Sequence, residues 1–236
     1  MDLKQKPAGH DGIDYFQGGP WEIGAALSGG WDLFKDNVGL LLGTMGVNFA
    51  VNMVFSFLNQ GVTLVMQNPD LEVVGIILSL LLTFVSFIVQ SLLTLGILKV
   101  YLGVVRGQNP SLGEMFNVGH LVVPTIVASM GVALAVFTGT MFLIVPGIIL
   151  GLGLMFTQLV IADQEVSGLS GAIDAMKESW RLTEGEKGNL FLWGLVGMCV
   201  MIGALCTCVG IFVAGPVLGL GTAMIYDNLV QRKRLA

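Results

Sequence analysis

Residues 121–163 read LVVPTIVASMGVALAVFTGTMFLIVPGIILGLGLMFTQLVIAD, and the length of this stretch decides the fold. It holds no Lys, Arg, Asp or Glu before Asp163. As helix, these 43 residues measure about 64 Å, roughly twice the hydrocarbon thickness of a bilayer. The stretch therefore divides into two crossings, Leu121 to Val145 and Ile148 to Ala162, parted by Pro146-Gly147. A re-entrant hairpin would satisfy the flanking charges equally well.

Outward from this stretch, further apolar runs recur. They are Val38 to Leu58, Val73 past Leu98, Asn189 to Thr207, and Gly210 to about Leu229. Six crossings put both chain ends on one side. The eleven basic residues agree with that count. Lys4, Lys6, Lys35, Lys99, Arg106, Lys177, Arg181, Lys187, Arg232, Lys233 and Arg234 all fall in the tails, in connections 99–120 and 163–188, or at a helix end beside one. Connections 59–72, 145–147 and 207–210 contain none. The positive-inside rule then predicts a cytosolic N-terminus and C-terminus in the cytoplasmic membrane.

Composition excludes the main soluble classes. Of 236 residues, 54% are hydrophobic and only 11% charged, with 33 glycines besides. Soluble domains carry about 25% charge. The mean hydropathy is +0.83 and the net charge −5, which argues against disorder and against a nucleic-acid partner. Residues 1–21 are polar and turn-rich, without the apolar core of a cleaved signal peptide, and are expected to form a flexible cytosolic tail. Residues 231–236 form a basic cytosolic C-terminus. Cys199, Cys206 and Cys208 lie in or beside apolar runs. Their number and spacing do not make a structural zinc site, so they read as free thiols.

Each pair of crossings follows a short segment with helical patterning. These are GAALSGGWDLFKDN (24–37), SLGEMFNVGH (111–120) and GAIDAMKESWRLTEGEKGN (171–189). The first and third share Trp-x-Leu, at Trp31/Leu33 and Trp180/Leu182. In the third, Ile173, Met176 and Trp180 take one helix face and Asp174, Lys177, Glu178 and Arg181 the other. Such a helix suits the membrane interface, with Trp31 and Trp180 as headgroup-depth anchors. The second helix of each pair repeats a glycine five residues before an aromatic: Gly96/Tyr101, Gly151/Phe156 and Gly221/Tyr226. The expected architecture is all-α, a polytopic single domain over 22–230. It is built as three repeats of interfacial helix plus transmembrane hairpin, at about 22–106, 107–165 and 166–230.

The stretch VPGIILGLGLMFTQLVIADQEVSGLSGAIDAMKESWRLTEGEKGNLFLWGL (145–195), with YDNL at 226–229, resembles the membrane domain associated with glycerophosphoryl diester phosphodiesterases and related uncharacterised bacterial and archaeal multi-spanning proteins. The resemblance implies an all-helical integral membrane domain. It implies no phosphodiesterase chemistry, which belongs to a separate soluble domain, and it assigns no functional residue.

The sequence offers no catalytic, cofactor or metal motif. His10 and His120 are the two histidines, one in the tail and one at an interface. Polar residues do form stripes. Thr44, Asn48, Asn52, Ser56 and Gln60 recur every four residues in the first crossing; Ser79, Thr83, Ser86, Gln90 and Thr94 follow in the second. Amides cannot face lipid unpaired. Asn48, Asn52, Ser86 and Gln90 are therefore the candidate intramembrane face, either as interhelical glue or as a hydrophilic path. Gly147/Gly151 and Gly215/Gly219 have spacings that permit close helix packing, within the chain or between copies. Lys99 either snorkels to the surface or pairs with Asp227 or Asp163. Two functions follow. The first is a non-enzymatic membrane scaffold or accessory domain, whose partners are lipid and a second copy or another membrane protein. The second is a transporter or channel for a small polar or amphiphilic solute.

Overall fold

A computed structural model describes residue 16, residues 19–207 and residues 210–235; His10 and Cys208 lie outside these, as does most of the tail. Among the described residues all regular structure is helical. Helix α1 (Ile23–Asp36) leads into α2 (Val38–Met66), a 3-10 turn at Pro69–Leu71 and α3 (Glu72–Val105). Two more 3-10 turns, Leu112–Phe116 and Gly119–Leu121, precede α4 (Val122–Phe142). Then come α5 (Ile144–Leu154), α6 (Thr157–Gln164), α7 (Gly168–Thr183), α8 (Lys187–Leu205) and α9 (Gly210–Leu235). Six stretches are long and apolar enough to cross a membrane, with α5 and α6 together forming the fourth. The chain is a multi-pass integral membrane protein.

Two boundaries differ from the sequence reading. The chain breaks at Leu143, which is extended (φ −162°, ψ 145°), rather than at Pro146-Gly147. Pro146 sits in the first turn of α5, where backbone N–H groups have no intrahelical partner and a proline removes nothing. The fourth span thus begins at Ile144 and runs 21 residues to Gln164. It is also bent, because residues 155–156 interrupt the helix.

Helix α7 explains how that bend survives. Gly151 and Gly153 weaken the helix just before it. Across the gap, buried Ser179 accepts from the Phe156 N–H (3.2 Å) and donates to the Gly153 carbonyl (2.9 Å). The Thr183 hydroxyl donates to the same carbonyl at 3.3 Å. One hydroxyl therefore pairs with a donor and an acceptor at the interruption, and the Thr157 hydroxyl donates to the Leu154 carbonyl (2.7 Å), as backbone within a membrane domain requires. Ser179→Ala should cost about 2 kcal/mol, read as a lowered unfolding midpoint, because it orphans a buried donor and weakens its neighbouring acceptor.

In lipid, apolar surface alone drives little helix association; close packing does more. The helices meet at glycines. At the α1–α9 crossing, a Cβ on Gly30 would stand 2.5 Å from the Val217 carbonyl oxygen and 3.2 Å from the Gly221 nitrogen. The turn at 112–116 seats the Met115 carbonyl on Gly96 of α3, and the Trp180 ring lies on Gly153 of α5. Each short segment thus rests on the second helix of a different hairpin. The Gly147, Gly151, Gly215 and Gly219 positions face Thr140, Val136, Met45 and Tyr101 of the same chain.

Helix α3 packs on both α6 and α9. Tyr101, Phe156 and Tyr226 are all buried there, with the Phe156 and Tyr226 ring centroids 5.8 Å apart. This aromatic centre leads directly to the charged end of the bundle.

Candidate functional site

Where α3, α6 and α9 end together, their charges interlock. Arg106 follows the last turn of α3. Its Nη1 lies 2.5 Å from Asp163 Oδ1 on α6, and its Nη2 lies 2.9 Å from Asp227 Oδ1 on α9. Arg106 Nε donates to the same Asp227 oxygen at 3.0 Å. The Tyr226 hydroxyl donates to Asp163 Oδ2 (3.0 Å), and Gln231 Nε2 donates to Asp227 Oδ2 (2.6 Å). Burial alone would favour loss of the guanidinium proton, but the two carboxylates outweigh it and push the Arg106 pKa up. A planar fork with several donors suits two carboxylates better than a lysine does.

This arrangement corrects the expected Lys99–Asp227 pair. Arg106 occupies Asp227 and Asp163, and Lys99 Nζ instead meets Glu165 Oε1 at 2.5 Å. The Lys99 hydrogen bond holds the Glu165 carboxyl below the usual carboxylate range. His120 Nε2 lies 3.7 Å from the other Glu165 oxygen. Each charge in the cluster has a partner, so it reads as a clamp between three helices.

The polar stripes do not meet as the sequence suggests. Asn52 Nδ2 donates to Asn48 Oδ1 (2.8 Å) and to the Asn48 carbonyl (2.9 Å) of its own helix. Ser86, Ser79 and Thr94 likewise donate to carbonyls three or four residues back. No hydrogen bond joins the two stripes among the described residues. Two physical reasons apply. Short polar side chains reach back to their own backbone. A four-residue repeat also drifts about 40° per step around a 3.6-residue helix, so the stripe winds off any single neighbour.

Gln90 nevertheless reaches a site. With Phe87, Ser91 and Thr94 of α3, Ser129 of α4 and Gln158 of α6, it lines a cleft of about 240 Å³. Gln158 Nε2 donates to Ser129 Oγ at 2.7 Å, while Gln158 Oε1 is buried without a partner. Ser86, Asn48 and Asn52 do not line the cleft. The sequence reading passed over Gln158 and Ser129. Its available signal was an amide in the apolar run LMFTQLVIA, at residues 154–162.

On the outer surface, Trp31 is 46% exposed and Trp180 37% exposed. Lys187 Nζ stands 3.4 Å from the Trp180 ring centroid, a cation–π contact. Helix α7 presents three sides. Gly171, Ala172, Ala175, Ser179, Leu182 and Thr183 are buried against the bundle. Leu169, Ile173 and Trp180 are exposed, and Asp174, Lys177 and Arg181 are exposed beside them. Cys199 and Cys206 are free and exposed. Among the described residues no group of three or more His, Cys, Asp or Glu could hold a metal ion. No family model matches the chain, and neither does a curated protein or a solved structure.

Proposed function

We propose that the protein is a non-enzymatic scaffold or accessory domain of the cytoplasmic membrane, with both ends in the cytosol and its short helices seated in the inner leaflet. The observation that carries this reading is the three-sided α7. One side is locked to α4, α5 and α6, a second offers Leu169, Ile173 and Trp180 outward, and the third is charged. A helix with these sides fits the boundary between headgroups and acyl chains. Trp31 is the corresponding exposed aromatic of α1. The side of the membrane rests on the basic residues, which crowd the ends near Arg106, Arg181 and Arg232. The likeness of residues 145–195 to membrane domains attached to soluble enzymes is consistent with an accessory role. The bound partners are lipid and a second copy or another membrane protein.

The rival transporter reading draws on one feature, the Gln90–Gln158 cleft. The Asn48–Asn52 face lends it no support, because those amides bond to each other. Reconstitution with brominated lipids tests the scaffold reading. Bromines near the glycerol backbone should quench tryptophan fluorescence more than bromines deep in the chain. Trp31→Phe with Trp180→Phe should abolish that difference, since Trp21 and Trp193 are buried. The same liposomes should pass glycerol and amino acids no faster than protein-free ones. Quenching that persists in the double variant, or protein-dependent flux, would reverse the assignment.

A further inference from the structure

We propose that two copies of the chain pair side by side through α2, each donating from Asn48 Nδ2 to Asn52 Oδ1 of the other. The pairing adds to the scaffold reading, and the seating of α7 in the leaflet does not depend on it.

Depth makes these amides costly in a lone chain. Helix α2 has 29 residues, about 43 Å, and Asn52 is its midpoint. Val38–Met66 is a spanning stretch, so the pair lies near the bilayer centre. Helix α9 reaches α2 at Met45 and at Phe49, whose ring packs on Phe212. Past Phe49 the cover thins. Asn52 is exposed, and of residues 52–66 only Phe55, Val62 and Val65 are not. Lipid offers an amide no hydrogen bond.

The bonds inside α2 leave a matched remainder. Asn52 Nδ2 spends its two protons on the Asn48 carbonyl (2.9 Å) and on Asn48 Oδ1 (2.8 Å). Asn52 Oδ1 and both protons of Asn48 Nδ2 are left without a partner. Turning the Asn52 amide over would set its oxygen against the Asn48 carbonyl, so the orientation is fixed within the helix. Asn52 is exposed, and Asn48 is half-buried with its Nδ2 still reachable.

Complementarity selects a second copy. A free donor and a free acceptor on one face fit their own image across a two-fold axis, which makes each bond twice. A charged face would meet its own charge there, and α2 carries no charge. Asn52 reaches back to Asn48, so the two free groups stand at nearly one depth, as a parallel pair requires. The polar face also continues outward. Ser56, Asn59, Gln60 and Thr63 fall with the two amides inside an arc of about 120°, and all four are exposed. The row Asn48–Asn52–Ser56 runs aslant the helix axis. Two such rows lie together when the helices cross at about −40° to −50°, a common crossing in membranes.

Energy transfer between copies labelled at the native cysteines, in liposomes of increasing lipid content, tests this. The full chain should associate. Asn52→Leu and Asn48→Leu should each raise the protein-to-lipid ratio at half-association about tenfold. Thr83→Leu, at an exposed polar position of α3, should leave it unchanged. In otherwise cysteine-free protein, Ser56→Cys should give disulfide-linked dimers on mild oxidation. Val54→Cys, on the opposite side of α2, should not. This second measurement decides the matter if the leucine variants do not fold. Energy transfer indifferent to both leucine variants, or equal crosslinking at positions 54 and 56, would overturn the proposal. A monomer at every dilution would overturn it too. If Asn52→Leu then abolished a glycerol flux, the amides would line a water path; if not, they would serve only each other. Quenching by brominated lipids reads the seat of α7 separately, so either reading can fail alone.

Discussion

Arg106→Met should destabilise the folded protein by about 3–5 kcal/mol, the usual cost of breaking one side of a buried ion pair. Two carboxylates from different helices depend on this one cation. Asp163 is only 9% exposed and Asp227 only 18%. Without the guanidinium they face each other across the junction of α3, α6 and α9, and Tyr226 and Gln231 can bond to them but cannot neutralise them. Arg106→Lys should recover part of the loss, since one ammonium cannot reproduce the fork that holds both partners. Reversible denaturation in mixed micelles, followed by tryptophan fluorescence, would measure both variants. A midpoint for Arg106→Met within error of wild type would show that the three helices hold together without the clamp.

Gly96→Val is the second large effect, expected at about 3 kcal/mol, the upper end of overpacking costs. A Cβ at this position would overlap the Met115 carbonyl, which is backbone and cannot rotate aside. The 3-10 turn at 112–116 would have to leave α3, and with it the capping pair of Ser111 and Glu114. Gly46→Ala is the matched control. Nothing lies within 4 Å of a Cβ there, and alanine favours helix over glycine, so its midpoint should stay level or rise. Similar losses in the two variants would mean that the cost is generic to glycine replacement and not to the seat of Met115.

The six spans were legible in the sequence because hydropathy is a local property that length converts into a crossing. Short helices at 23–36 and 168–183 were legible for a similar reason, since Trp31 and Trp180 recur with flanking charge. Partner choice was not legible. Lys99, Arg106, Asp163, Glu165 and Asp227 were all visible as helix-end charges. Which of them meet depends on how α3, α6 and α9 rotate against one another, and no local pattern encodes that. The Asn48–Asn52 stripe misled for the opposite reason. Its four-residue period was plain, but the same spacing lets each side chain bond within its own turn. The bend at 155–156 was hidden as well, because its stabilising hydroxyl, Ser179, comes from a helix two elements later.

The seat of α1 on α9 also sets a schedule. Gly30 leaves the ribosome long before Val217 and Gly221 exist, and at about 5–20 residues per second that gap is roughly ten to forty seconds. During it, the groove-side face of α1 has no mate. Among the described helices α1 comes first in sequence, yet its seat waits for the last of them. A nascent chain that stops before residue 217 therefore holds α1 without its seat on α9.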